Sequence, residues 1–293
     1  RGTFRVLLSF GDYLHFFRRA SNTALEEHHD RALMDASSDT FLNCCMGFPA
    51  RGDREQKEGR VSATATVMTP EVIKEAVPDA KAVLMLREPV SRLFSDYMYF
   101  NRSGKAVEKT ADTFHEACSV AVDLLQKCLS SSWGADLGPQ FVAIPGGREV
   151  IPSFANWRRC IDNGQERDAE HAAPMSIQLE CPVEMSVYIY NLRIWTAVFG
   201  DDLSVVRTDD YHSNTTKTMS SLFEHVGLRQ PTETEWPTLD QACSGSNGGG
   251  CNRGKKSHSE SVRKDTLELL SNFYRPYNKA LAVFQRNEAY NWF

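Results

Sequence analysis

The sequence predicts an α/β fold in which a mainly parallel central sheet is flanked by helices. Two short apolar runs, residues 81–86 (KAVLML) and 203–207 (LSVVR), read as buried strands of a parallel sheet. Segments with helical length and spacing separate them, as expected of parallel strands joined by helical crossovers. The 293 residues suit one large domain or two small ones and can bury a substantial core. No internal repeat divides them.

In chain order, residues 3–10 (TFRVLLSF) have the length and apolarity of a strand, followed by Gly11-Asp12 and an aromatic, basic stretch at 13–19. Residues 21–60 are polar apart from 41–48 (FLNCCMGF), which fits a short strand. Thr69-Pro70 opens a helix: Thr69 fits the N-cap, Pro70 the first helical position and Glu71 the positive helix end. That helix stops near Pro78-Asp79. After the strand at 81–86, Arg87-Glu88-Pro89 breaks the run, and residues 90–100 carry helical spacing. Residues 111–130 form an amphipathic helix. Residues 131–165 are rich in Gly, Ser and Pro without clear periodicity, and read as a long loop or insertion covering a site. A helix at 185–199, a strand at 203–207 and a helix at 213–226 follow. A Gly/Ser/Lys loop at 243–259 leads to a final helix at 261–284.

Composition excludes several classes. The net charge of −5 argues against a general nucleic-acid binder, while leaving room for a local basic cleft that holds one small anion. No stretch reaches the ~18 apolar residues of a membrane span, so any membrane attachment runs through a segment outside this chain. The chain starts at Arg1 with no signal-peptide pattern, and reads as processed or truncated there. Its eight cysteines form no CxxC pair and no histidine stands at zinc-finger spacing, so no metal is expected. The sequons Asn101-Arg102-Ser103 and Asn214-Thr215-Thr216, with the even cysteine count, tilt toward an oxidising compartment.

Two segments carry the chemistry. In residues 81–100 (KAVLMLREPVSRLFSDYMYF) a strand runs into Arg87, and a proline opens the next helix. Ligands of open α/β sheets bind at the carboxyl ends of strands. A helix N-terminus there offers N–H groups and a positive dipole end to an anion. Arg87 adds a planar five-donor fork and Ser95 a hydroxyl. Two readings stand: an oxyanion clamp, most naturally for phosphate, or an arginine paired with Glu88 or Asp96 on a surface helix. The second segment, residues 243–258 (CSGSNGGGCNRGKKSH), combines backbone-exposing glycines, among them Gly254, with the cations Arg253, Lys255 and Lys256. It is either an anion-embracing loop tied at its base by Cys243 and Cys251, or a solvated linker. Its near fit to the P-loop spacing fails at Lys256, where magnesium binding requires Ser or Thr. A P-loop kinase is therefore disfavoured.

Residues 81–100 closely resemble the 3′-phosphate-binding strand and helix of carbohydrate sulfotransferases that use 3′-phosphoadenosine 5′-phosphosulfate (PAPS). The string is similar, almost letter for letter, to that of N-acetylgalactosamine 4-sulfate 6-O-sulfotransferases. In that motif the Arg after the strand and the Ser eight positions on grip the 3′-phosphate; here they are Arg87 and Ser95. Further likenesses lie at 59–66 (GRVSATAT), 203–210 (LSVVRTDD, resembling a strand that ends in Arg-x-Glu-Asp) and 273–280 (FYRPYNKA). Cys128 and Cys160 fall where the family has a cysteine pair. The loop with Arg253, Gly254, Lys255 and Lys256 resembles one that folds over the nucleotide. The resemblance implies a P-loop-NTPase-like sulfotransferase fold, a nucleotide donor, a glycan acceptor and a place in the Golgi lumen or secretory pathway.

One family element has no match: the Lys-x-Gly-Thr-Thr loop that holds the 5′-phosphosulfate. Either residues 5–11 are the first strand and a degraded loop, or His15-Phe16-Phe17 aligns with a His-aromatic-aromatic segment and the loop lies upstream of Arg1. The second alignment puts Tyr13 where the family carries its catalytic Glu. Sulfuryl transfer needs a base near the acceptor hydroxyl, and Asp12 and His15 are the nearest candidates. Two hypotheses result: a PAPS-dependent glycan sulfotransferase, acting on a chondroitin/dermatan-type or other glycan, or an inactive relative that binds nucleotide or glycan.

Overall fold

The computed structural model describes residues 69–99, 108–130, 141–145, 150–162, 181–237 and 262–293. Helix α1 (Thr69–Ala76) precedes strand β1 (Ala82–Leu86), and helix α2 (Pro89–Tyr99) follows it directly. Helix α3 (Ala111–Ser130) leads to a small antiparallel pair, β2 (Phe141–Ala143) and β3 (Val150–Pro152), and then helix α4 (Phe154–Asp162). A 3-10 turn at Val183–Ser186 enters α5 (Tyr188–Phe199), and strand β4 (Leu203–Arg207) comes next. The short helix α6 (Thr208–Ser213), α7 (Thr215–Val226) and the long α8 (Lys264–Gln285) complete the order. The architecture is α/β but mostly helical, with one small parallel sheet among the described residues.

β1 and β4 pair in parallel, from Ala82↔Leu203 to Leu86↔Arg207. The expectation that both strands are buried on two faces needs correction. Leu84 and Leu86 are buried, whereas Val83 and Met85 are 40% and 50% exposed, and every residue of β4 is half-buried. The described helices therefore cover one face of this two-stranded sheet. An all-apolar run hides such a difference, because it shows no alternation to read.

The core lies between that face and the helices. α8 buries Leu270, Phe273, Tyr274, Tyr277 and Leu281, the spacing of one helical stripe. Phe114 of α3 meets Phe94 and Tyr97 of α2 at ring separations of 5.0 and 5.1 Å, which fixes the angle at which α2 leaves the sheet.

Residues 131–165 are not one long loop. They contain the β2–β3 pair and α4, whose Phe154, Trp157 and Cys160 recur every three residues, with Ile161 four beyond Trp157. Trp157 stacks on Tyr190 of α5 at 5.1 Å, and the Tyr190 hydroxyl donates to the Pro152 carbonyl at 2.6 Å. A disulfide, Cys128–Cys160, joins α3 to α4, as the resemblance implied. A second, Cys118–Cys181, ties α3 to the entrance of the 3-10 turn and was not expected.

Three helix boundaries also differ. The 185–199 helix begins with the 3-10 turn and is regular from Tyr188. The 213–226 segment splits at Asn214, whose side chain caps α7 by accepting from the Lys217 N–H at 3.0 Å. α8 starts at Lys264, three residues later than expected.

Candidate functional site

Parallel pairing brings two strand ends to one edge. Because Leu86 faces Arg207, the next residues, Arg87 and Thr208, leave neighbouring strands about 4.8 Å apart. This edge is where an open α/β sheet receives its ligand.

The end of β1 is held from two directions. The Thr208 hydroxyl donates to the Leu86 carbonyl at 3.0 Å, and the Tyr188 hydroxyl donates to the Arg87 carbonyl at 2.8 Å. Tyr188 is buried, which raises its pKa to about 12 against the lowering pull of Arg92, so it stays a protonated donor at neutral pH. Arg92 donates to the Ser186 hydroxyl at 3.0 Å beneath it. With its backbone held, Arg87 is exposed, and no hydrogen bond or ion pair to another described residue engages its guanidinium.

The first turn of α2 differs from expectation. The Glu88 carboxylate accepts from the N–H groups of Val90 and Ser91, both at 2.7 Å, and the Arg92 N–H bonds the Glu88 carbonyl. Pro89 has no N–H to offer. The helix N-terminus therefore presents no unoccupied amide to an anion, which corrects the reading of a clamp built on free N–H groups. Glu88 is a cap rather than the partner of Arg87. An anion at this edge would be met by side chains: Arg87, and Ser95, half-buried one turn beyond Ser91 on the same helix face.

Arg207 at the end of β4 is in the opposite state. It pairs with Asp209 at 2.9 Å and Asp210 at 3.2 Å, and its guanidinium lies 5.9 and 5.8 Å from the rings of Tyr290 and Trp292. The Trp292 indole N–H donates to Asp209 at 3.1 Å. Arg207 thus locks the C-terminal aromatics to the strand end, and among the described residues Arg87 is the cation left available beside it.

Other predicted residues fall elsewhere. Asp12, His15, Arg253, Gly254, Lys255 and Lys256 lie outside the described residues, as do Cys243 and Cys251. Among the described residues no group of His, Cys, Asp and Glu is arranged to hold a metal ion, and no helix is long and apolar enough to cross a membrane. Sequence reasoning missed Tyr188 and Thr208, whose bonds to β1 span 101 and 122 residues and leave no local signal. It also missed the Glu88 cap, although a carboxylate just before a helix-opening proline is such a signal.

No family model matches the chain. Over 226 residues, 77% of this chain, it is 26% identical to carbohydrate sulfotransferase 15 of Homo sapiens and equally to that of Mus musculus. The match spans 33% of the length of each of these relatives. The carbohydrate sulfotransferase 15 of Nototodarus sloanii is 23% identical over 133 residues, 45% of this chain and 81% of that protein. These similarities relate the chain to the carbohydrate sulfotransferases, the family that residues 81–100 resemble.

Proposed function

We propose that this chain, folded as a single P-loop-NTPase-like sulfotransferase domain, transfers a sulfuryl group from PAPS to a glycan hydroxyl. A chondroitin/dermatan-type galactosaminoglycan is the acceptor class that the resemblance of residues 81–100 implies. The observation that carries the reading is Arg87: an exposed guanidinium at the carboxyl end of a parallel strand, engaged by no described residue, inside the string most like the family.

The described residues fit the donor's 3′-phosphate in a limited way. Arg87 offers a bidentate fork and Ser95 a hydroxyl, while the Glu88 cap removes the amides. Arg253, Gly254, Lys255 and Lys256 would close over the nucleotide. Bound PAPS supplies an activated sulfuryl group. The chain's part is then to align the donor with the acceptor oxygen, and to take the acceptor proton on Asp12 or His15. The acidic Glu88, Asp209 and Asp210 border the same edge, so a polyanionic acceptor would need basic residues elsewhere to hold it. Passage through the Golgi lumen or secretory pathway accords with two disulfides.

The test is a thermal-shift titration with adenosine 3′,5′-bisphosphate beside ATP. At about a hundred times its dissociation constant a ligand stabilises the native state by ~2.7 kcal/mol. A shift with the bisphosphate that weakens by ~1.5–3 kcal/mol of binding energy in Arg87→Ala supports the reading. No shift in the wild-type chain refutes it. Sulfate transfer from labelled PAPS to chondroitin sulfate then separates an enzyme from an inactive binder.

A further inference from the structure

Asn214 sits between α6 and α7 with a non-helical backbone, φ −149° and ψ 76°. Its Oδ1 is used, accepting from the Lys217 N–H, while the amide Nδ2 of this exposed residue has no partner among the described residues. The threonines that follow are not equivalent. The Thr215 hydroxyl donates to the Tyr211 carbonyl at 2.9 Å, and the Thr218 hydroxyl donates to the Asp210 carbonyl at 3.3 Å. Thr216 is exposed, and no described residue bonds its hydroxyl. Thr216 is the position whose hydroxyl an Asn-x-Thr acceptor requires. The fold thus uses one half of the Asn214 amide and two neighbouring hydroxyls for structure, and leaves free the two groups that glycan attachment needs.

We propose that Asn214 carries an N-linked oligosaccharide. The step moves the sugar's anomeric carbon from the diphosphate oxygen of a lipid-linked donor to Nδ2. The C–O bond breaks, a C–N bond forms, Nδ2 gives up one proton, and the lipid diphosphate leaves. The cap survives, because Oδ1 still accepts from Lys217 and Nδ2 points to solvent with its sugar. The inference rests on the lumenal part of the proposed function, since lipid-linked sugar transfer and disulfide formation share a compartment.

The test uses protein purified from the cells that make it. Treatment with peptide N-glycosidase in heavy-oxygen water should convert position 214 to a labelled aspartate, in a chain whose Cys118–Cys181 and Cys128–Cys160 pairs are linked. An unlabelled Asn214 beside intact disulfides overturns the glycan and spares the lumenal reading. An unlabelled Asn214 beside free thiols overturns both. A second arm expresses the chain in a eukaryotic secretory host. There Thr216→Ala should abolish the label at 214 while leaving the melting temperature of the deglycosylated protein unchanged. A glycan that persists at 214 in Thr216→Ala overturns the assignment.

Discussion

The phenol of Tyr188 donates a 2.8 Å hydrogen bond to the carbonyl oxygen of Arg87, joining the start of α5 to the end of β1. The side chain of Arg87 is exposed, so its direction depends on how its backbone is held. Tyr188→Phe removes the donor and keeps the ring. It should weaken adenosine 3′,5′-bisphosphate binding by about 1 kcal/mol, roughly fivefold. In an Arg87→Ala background the same change should have no further effect on affinity, because the two act through one contact. Isothermal titration of the four proteins checks this, and additive losses would refute the positioning role.

Glu88 holds the amides that a helix N-terminus would otherwise turn toward an anion. Glu88→Ala should destabilise the fold by about 1 kcal/mol through loss of a cap. It should also tighten phosphate-bearing ligands, since two N–H groups are freed and a carboxylate is removed. A chemical melt and a bisphosphate titration on one preparation measure both effects. Weaker binding in Glu88→Ala would show that the carboxylate shapes the site rather than competing with its ligand.

Buried phenols set an alkaline limit. Burial pushes Tyr188 and Tyr290 up to about 12 and moves Tyr190, Tyr274 and Tyr277 upward as well. A raised folded pKa means that the folded state holds its protons longer than the unfolded chain. Stability is therefore complete below pH 10 and falls as pH rises from about 10 to about 12. Phenolate absorbance should climb together with loss of helical circular dichroism over that range. Ionisation of these tyrosines in a still-folded protein would contradict the assignment.

The disulfides close loops of 32 and 63 residues. On the chain-entropy account each adds roughly 4 kcal/mol, slightly more for the longer loop. Cys118→Ala with Cys181→Ala should cost at least as much as Cys128→Ala with Cys160→Ala, read from denaturant midpoints. Peptide mapping without reduction should recover both pairs, and free thiols at any of the four positions would refute the connectivity.

How much was legible in the sequence depended on range. The helix over 111–130 coincides with α3, since twenty residues of apolar spacing decide a helix locally. β1 and the placement of Arg87 were readable because a five-residue apolar run, residues 82–86, stops at a charged, proline-marked break. β2 and β3, three residues each, are too short for any period to show, and the surrounding Gly and Pro masked α4. At the site, a carboxylate beside an arginine looked like an ion pair, whereas Glu88 turns to its own helix. The contacts of Tyr188 and Thr208 belong to tertiary pairing and have no signature at their own positions.

Cys118–Cys181 also bears on how the strand edge assembles. Leu86 and Thr208 are 122 residues apart, and 63 of those residues lie inside the loop that this bridge closes. Once it forms, about sixty residues of slack remain between β1 and β4 instead of twice that number. Halving the loop lowers the closure entropy by about 0.6 kcal/mol, close to a threefold gain in how often the strands meet. Cys128–Cys160 is nested within the larger loop and shortens the path no further once that loop is closed. Oxidation at a helix far along the chain from Arg87 thus hastens the docking that puts Arg87 in place.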